Sequence, residues 1–114
     1  MLILPIEKES FDMIVNFEKE DVYLKINSYS TKQLAKAFDI EEHKLFEFAE
    51  ETKTKKVTHI IPVRNQIVCF KCSSSMKCKV MLLIRQGMEE LGAKQGTWYY
   101  VLKILDILDM QSYV

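Results

Sequence analysis

Apolar residues recur with two different periods along this chain, and the period changes near residue 57. Before that point, several apolar sets recur every three or four residues, which is the spacing of one helix face. After it, apolar and β-branched residues form alternating or short continuous runs, which predict strands. Helices therefore cluster early and strands late, with one strand pair at the start. This order favours an α+β domain or a small barrel with helices across its openings.

The predicted elements follow from this pattern. Strands are predicted at residues 2–6, 22–27, 57–63, 66–72, 77–84 and 98–108, and helices at residues 8–16, 31–38 and 41–50. The last helix is expected to bury Leu45, Phe46 and Ala49 and to turn its glutamates to solvent. Alternation in the second strand puts Val22 and Leu24 on the same face.

Helix boundaries are predicted from capping residues. Ser30 with Gln33 three residues later predicts a capping box at the start of the second helix. Asp39 with Glu42 predicts the same device for the third helix. The basic polar run Thr52–Lys56 is expected to be an exposed loop after that helix.

An aromatic triplet near the end of the chain, Trp98–Tyr100, suggests a platform for base stacking. Adjacent residues of a strand face opposite sides of a sheet, so the triplet cannot form one platform. Tyr99 is expected to share a face with Val101, and Tyr100 with Leu102. Packing within the domain is therefore the expected role of most of these rings.

Length and charge limit the possible functions. With 114 residues the chain is expected to form a single domain, residues 1–114, around one modest core. The 16 lysines and arginines equal the 16 aspartates and glutamates, so the formal net charge is zero. Strong sequence-independent binding of nucleic acid depends on neutralising phosphates and is not expected. A local basic patch remains compatible with this balance.

The sequence contains no sign of export or membrane insertion. The apolar stretch at the start is only a few residues long and is followed by Glu7, unlike a secretory signal. The apolar run near the end is broken by Lys103, Asp106 and Asp109, so it does not span a bilayer. We therefore expect a cytoplasmic protein without a membrane partner.

The cysteines are Cys69, Cys72 and Cys78. An odd number without an export signal predicts free thiols in a reducing cytoplasm. His59 completes the composition of a zinc site, but the chain has only one C-x-x-C spacing. On a strand, Cys69 and Cys72 face opposite sides, so we expect no metal and no other cofactor.

Four segments, in this order along the chain, resemble one protein family. They are Phe17–Leu24 (FEKEDVYL), Tyr29–Leu34 (YSTKQL), Val63–Gln66 (VRNQ) and Gly87–Gly96 (GMEELGAKQG). They are similar to the G-x-K-x-x-E-x-R, Y-W-T-K-R-L, F-R-N-G and G-x-x-E-W-G-A-x-x-G segments of ASCH-like domains. These are RNA-binding and RNA-modifying proteins of the PUA superfamily, often found in phage and prophage genomes. The resemblance implies a small PUA-like β-barrel with helices flanking the barrel.

The first of these motifs is degenerate in this chain. Lys19 matches the lysine, but Val22 and Leu24 stand where the family has glutamate and arginine. Replacing both members of a charged pair by hydrocarbon is compatible with a stable core, and it removes the charged groups that catalysis needs. We therefore expect a protein that is not an enzyme, in which hydrolysis of an acylated nucleoside is absent or very weak.

The candidate nucleic-acid contacts are Lys19, Tyr29, Lys32, Arg64 and Asn65. The resemblance implies that Lys19 and the Arg64–Asn65 pair lie at the barrel cleft. A guanidinium binds phosphate through paired hydrogen bonds, and an asparagine amide reads a base edge. Tyr29 and Lys32 supply the aromatic and basic combination that single strands need. The simpler roles are a solvated lysine in a turn, a hairpin turn and a packed tyrosine ring.

Three functions remain open at this level. The first is recognition of RNA or a nucleotide-like ligand in the barrel cleft, without catalysis. The second is hydrolysis of an amide on a modified nucleoside, with Lys19 as the reactive group and Thr31 or Asp21 as helper. The third is a protein-interaction module whose partner surface is the acidic helix at residues 40–51.

Overall fold

The protein combines three helices with a mixed six-stranded sheet that curls into a half-barrel. The computed structural model describes residues 1–89 and 93–112. The strands are β1 (Leu2–Pro5), β2 (Asp21–Lys25), β3 (His59–Ile60), β4 (Gln66–Lys71), β5 (Ser74–Gln86) and β6 (Trp98–Ser112). The helices are α1 (Lys8–Val15), α2 (Ser28–Ala37) and α3 (Glu42–Lys55). The expected α+β class is confirmed. Glu90, Leu91 and Gly92, within the Gly87–Gly96 match, lie outside the described residues.

Strand β5 organises the sheet, whose order is β1-β4-β5-β6-β2. Strand β1 runs parallel to β4, and the other pairs are antiparallel. Both β3 and β4 pair with the edge of β5 that β6 leaves free. The connection at residues 61–65 therefore leaves this edge and rejoins it. Arg64 and Asn65 lie in that connection. Because β3 and β4 each pair with β5 and not with each other, the alternative that these two residues form a hairpin turn is wrong.

Two irregularities bend the longest strand pair. The register of β5 against β6 shifts twice, which leaves Leu105 and Leu108 without partners on β5. Extra residues of this kind are β-bulges, which bend a strand and increase its twist. The pairing of β6 with β2 ends at Lys103, just before the first bulge. The bulges therefore account for part of the curl and for the place where β2 stops.

The inner face of the sheet forms the main core with one side of each helix. Helix α1 contributes Phe11 and Ile14, α2 contributes Leu34, and α3 contributes Leu45 and Ala49. These residues recur at helical spacing, as the pattern predicts.

Alternation along the strands is confirmed on both faces of the sheet. Val22 and Tyr100 are buried in the main core, and Leu24 packs against it. Tyr99 lies on the opposite face in a smaller cluster, against which Tyr23 packs. Neighbouring aromatic residues of β6 therefore serve two separate apolar layers rather than one stacking platform.

The second helix begins three residues before the position predicted from Ser30. The N-cap is Asn27, whose side chain accepts a hydrogen bond of 2.8 Å from the backbone N–H of Ser30. The hydroxyl of Ser30 accepts a bond of 3.1 Å from the backbone N–H of Asn27, which completes a capping box. Ser30 is thus the third residue of the helix. Asparagine is as good an N-cap as serine, so the helix can begin at the earlier of the two residues.

The third helix has neither the predicted start nor the predicted end. Its N-cap is Glu41, without a side-chain capping bond, and Asp39 has a left-handed φ of 53° instead of the extended backbone of a cap. The expected loop at Thr52–Lys56 is wrong, because the helix continues to Lys55. Thr52 is buried and its hydroxyl donates to the carbonyl of Phe48 at 2.7 Å.

Phe46 is not buried, contrary to the prediction for this helix. Its side chain is 50% exposed, whereas Leu45 and Ala49 are fully covered. The other buried residue of α3 is Thr52, so the buried face of this helix runs through residues 45, 49 and 52. Phe46 lies about 100° around the helix from Leu45, at the side of this buried face.

Strand ends also differ from the prediction. Strand β3 is much shorter than residues 57–63, because Lys56 ends α3 in a left-handed conformation and Pro62 has no N–H for a ladder bond. Strands β5 and β6 are longer than predicted and extend the hairpin to Ser74 and Ser112. Within the described ranges, every helix is too short or too polar to cross a membrane.

Candidate nucleic-acid interface

A groove of about 540 Å³ lies between α2 and the starts of β1 and β4. It is lined by Met1, Leu2 and Ile3, by Gln33, Lys36 and Ala37 of α2, and by Gln66 and Ile67 of β4. Because β1 is the last strand of the sheet on this side, one side of its backbone has no ladder partner. We call this feature the α2–β1 groove.

The walls of the α2–β1 groove are apolar on one side and polar on the other. Met1, Ile3 and Ile67 are large apolar residues that remain about half exposed or more. Gln33 and Gln66 supply amide groups. Among the described lining residues, the only charged side chain is that of Lys36. The groove therefore suits a ligand with flat apolar parts and negative charge.

The exposed face of α2 brings the predicted Tyr29 and Lys32 to the side of this groove. Tyr29 is 70% exposed, so the alternative of a packed ring is wrong. Its hydroxyl accepts a hydrogen bond of 3.1 Å from the side chain of Gln33, which lines the groove. Lys32 is exposed, and Lys36 lies one turn further along the same face. The aromatic and basic patch predicted for α2 is thus solvent-exposed beside the groove.

Arg64 and Asn65 lie in the connection that leads to the start of β4, where Gln66 and Ile67 line the groove. Both side chains are exposed, and both directly precede Gln66 at the start of β4. Their position follows from the connection between β3 and β4, which leaves and rejoins the edge of β5. Of the predicted contacts, Tyr29 is thus hydrogen-bonded to one lining residue of the groove, and Asn65 directly precedes another in the chain.

Lys19 lies elsewhere, just before β2, and β2 is the opposite edge of the sheet from β1. It lines a smaller hollow of about 190 Å³ with Ile14, Phe17 and residues of β6. Its ammonium group has a long hydrogen bond of 3.5 Å to the hydroxyl of Ser10. Lys19 is therefore separated from the α2–β1 groove by the width of the curled sheet.

The helpers suggested for Lys19 are engaged with other residues. The hydroxyl of Thr31 is buried and hydrogen-bonds the hydroxyl of Tyr100 at 2.7 Å. Burial raises the pKa of Tyr100, and the hydrogen bond to Thr31 opposes that shift. The carboxylate of Asp21 pairs with Arg85 at 2.9 Å. Neither helper is hydrogen-bonded to Lys19.

A buried polar cluster on the outer face of the sheet was not predicted. Asp21 is only 6% exposed, and its carboxylate accepts from Arg85, which also donates to the hydroxyl of Tyr23 at 2.6 Å. The guanidinium lies over the Tyr23 ring, 5.4 Å from its centroid, and Tyr23 meets Tyr99 edge-on at 5.5 Å. The Tyr99 hydroxyl accepts from the backbone N–H of Lys94 at 3.1 Å. We call these residues the Asp21–Arg85 cluster.

The electrostatics of the Asp21–Arg85 cluster favour a charged pair. Burial opposes the charge on Arg85, but hydrogen bonds to Asp21 and Tyr23 outweigh it and raise the pKa of the guanidinium. Oδ1 of Asp21 and Nε of Arg85 are nevertheless buried without a hydrogen-bond partner among the described residues. A sequence signal existed in the shared parity of Asp21 and Tyr23, but nothing in the sequence pairs them with Arg85.

The cysteines and His59 do not form a metal site in the described part of the chain, where no three His, Cys, Asp or Glu residues are placed to hold an ion. The cysteines are free thiols, and burial raises the pKa of Cys78 to about 12. The His59 ring meets Phe48 edge-on, with centroids 5.0 Å apart, and lies 3.4 Å from the Thr52 hydroxyl. His59 therefore has a packing role at the end of α3.

Comparison with known proteins adds no relative. No protein-family model, curated protein or solved structure matches the chain.

Proposed function

We propose that this protein binds single-stranded RNA in the α2–β1 groove and performs no chemical step on it. The observation that carries the proposal is a groove lined by Lys36 and by the amides of Gln33 and Gln66, with the exposed Tyr29 hydrogen-bonded to Gln33. Further exposed groups stand close by in the chain: Lys32 one turn before Lys36 on α2, and Arg64 and Asn65 directly before Gln66. Cations, amides and an exposed aromatic ring are the groups that single strands require.

The groups have distinct roles in this proposal. Lys32, Lys36 and Arg64 contact phosphates, and the guanidinium provides paired hydrogen bonds. Tyr29 stacks on a base, because its ring is exposed and its hydroxyl is held by Gln33. The amide of Asn65 hydrogen-bonds to a base edge. The small number of cations agrees with the zero net charge and implies modest affinity.

The core supports the absence of catalysis in this proposal. Val22 is buried in the main core and Leu24 packs against it, at the two positions where ASCH-like domains carry a glutamate and an arginine. Lys19 lies by the opposite edge of the sheet from the groove and has only a serine hydroxyl as its hydrogen-bond partner. Glu20 and Asp106 line the same hollow as Lys19, and Glu20 is paired with Lys103 at 3.5 Å.

The test is equilibrium binding of a labelled single-stranded RNA of twelve nucleotides at low salt, with fluorescence anisotropy as the readout. Arg64→Ala and Lys36→Ala are each expected to weaken binding roughly tenfold, the loss of a hydrogen bond to a charged group. Lys55→Ala is the matched control, because Lys55 is an exposed lysine of α3 that pairs with Glu51 at 2.6 Å. It is expected to bind as the unmodified protein does.

Two outcomes would contradict the proposal: no binding of RNA at low salt, or an equal loss of affinity in all three variants. The interaction module would then become the leading function, since Glu41, Glu42 and Glu47 of the acidic helix remain exposed.

A further inference from the structure

A second hollow, of about 560 Å³, lies between the start of α2 and the exposed side of α3. Its walls include Ile26, Asn27 and Ser28 on one side, and His43, Phe46 and Lys53 on the other. It shares no lining residue with the α2–β1 groove. Ser28 and Thr31 line the hollow, whereas Gln33, Lys36 and Ala37 line the groove.

Phe46 is the unusual residue of this hollow. Its ring is 50% exposed although the neighbouring positions of α3 supply the core. A single exposed apolar residue is common and needs no explanation by itself. Here the ring forms part of a concave wall, with a histidine one turn before it on the same helix. Such a wall offers one aromatic face to a flat ligand.

The hollow and the α2–β1 groove are linked along the surface of α2 by Lys32. Successive helical residues are about 100° apart, so Lys32 lies roughly 40° from Ser28 and roughly 40° from Lys36. Ser28 lines the hollow and Lys36 lines the groove. A strand that leaves the groove towards the hollow therefore passes over the exposed ammonium group of Lys32.

Charge determines which part of the strand can enter. The hollow contains Glu42, and further along α3 Glu47 and Glu50 are exposed on the helix surface. Lys53 is 3.3 Å from Glu50, so its charge is already partly neutralised. Phosphate is disfavoured beside these carboxylates, whereas a neutral base is not. The cations of α2 retain the phosphates outside the hollow.

We propose that this hollow is a base subsite, which takes one nucleobase of the bound RNA, stacked on the ring of Phe46. The phosphates on either side of that base lie over Lys32 and Lys36. The Ser28 hydroxyl and the His43 ring are the polar groups at the wall that can meet the base edge. This inference rests on the RNA-binding function proposed above.

The test compares two twelve-residue probes in the anisotropy assay: an oligoribonucleotide and an abasic backbone of the same length. Phe46→Ala is expected to weaken binding of the oligoribonucleotide roughly tenfold, the size of one lost base stack. Phe46→Leu keeps the apolar bulk and the fold and is expected to lose as much. Phe46→Tyr keeps the aromatic face and is expected to bind as the unmodified protein does. None of the three changes should alter binding of the abasic backbone.

Phe17→Ala is the matched control, because Phe17 is an even more exposed aromatic residue, at 88%, near Lys19 and the other edge of the sheet. It is expected to leave both affinities unchanged. If Phe46→Ala and Phe46→Leu bind the oligoribonucleotide normally while Lys36→Ala is weakened, the base subsite is wrong and the groove proposal stands. If neither the unmodified protein nor any variant binds the oligoribonucleotide, both proposals fail.

Discussion

The α2–β1 groove and the Asp21–Arg85 cluster place polar groups at opposite edges of one curled sheet, with opposite consequences. In the cluster, a guanidinium donates to a carboxylate and to a tyrosine hydroxyl, and these groups are largely covered. Along the groove, the side chains of Lys32, Arg64 and Asn65 are exposed to solvent. Charges that satisfy one another stabilise the fold, whereas exposed groups around a concavity are available to a ligand.

The chain positions explain how the cluster links three strands. Asp21 and Tyr23 belong to β2 and Arg85 to β5, and β6 lies between these strands. The guanidinium therefore reaches across β6 to hold the short edge strand. Removing one partner of this pair should cost more than removing one partner of a surface ion pair, because Asp21 is almost fully buried and would keep an uncompensated charge.

The largest expected effect is on the cluster. Arg85→Met removes the partner of a buried carboxylate and is expected to lower the free energy of unfolding by about 3 kcal/mol. The melting temperature should fall by about 10 °C. Adding Asp21→Leu removes the stranded charge, so the double variant is expected to recover at least about 1 kcal/mol, measured by urea unfolding. A double variant no more stable than Arg85→Met would show that the stranded charge of Asp21 is not the cause of the loss.

The next effect concerns the connection that follows β5. A Cβ atom at Gly87 would overlap the carbonyl oxygen of Lys94 and lie 2.7 Å from the Tyr99 ring of the cluster. Gly87→Ala is therefore expected to cost about 2 kcal/mol, a typical penalty of overpacking. Gly96→Ala is the control, since Gly96 has a φ of 85° but no atom nearer than 4.0 Å, and should cost about 1 kcal/mol. Equal losses in thermal unfolding would mean that the close approach to Tyr99 is not decisive.

The smallest effect is expected at the groove. Tyr29→Ala and Lys36→Ala remove exposed side chains and should change the free energy of unfolding by less than about 0.5 kcal/mol. Both variants are nevertheless expected to bind RNA more weakly. Urea unfolding and anisotropy on the same samples separate the two properties. A loss of stability as large as that of Arg85→Met would mean that the groove residues support the fold.

Local sequence patterns predicted most of the fold. The two periods gave the order of strands and helices, and alternation placed Val22 and Tyr100 on the inner face. Such patterns depend on residues a few positions apart. The exact ends of the helices were harder to predict. Asn27 and Ser30 are both good N-caps, and the N-cap is the one whose backbone is extended, which is Asn27.

Long-range pairing explains what the sequence did not reveal. Arg85 meets Asp21 only because β5 and β2 flank β6. In the sequence, Arg64 and Asn65 look like a hairpin turn between two strands. The structure shows that both strands, β3 and β4, pair with β5 instead of with each other. Phe46 is spaced along α3 as a buried residue would be, but the buried face of this helix runs through Leu45, Ala49 and Thr52 beside it. Tyr29, Lys32, Arg64 and Asn65 could be named from the sequence, but their positions relative to the groove could not.

The most direct measurement for the groove proposal is the salt dependence of RNA binding. Three phosphate contacts, from Lys32, Lys36 and Arg64, imply a slope of about −2 for log K against log salt concentration, at roughly −0.7 per contact on a single strand. Lys36→Ala should reduce that slope to about −1.4, and Lys55→Ala should leave it at about −2. A slope near zero for the unmodified protein, or the same slope in Lys36→Ala and Lys55→Ala, would contradict RNA binding through this groove.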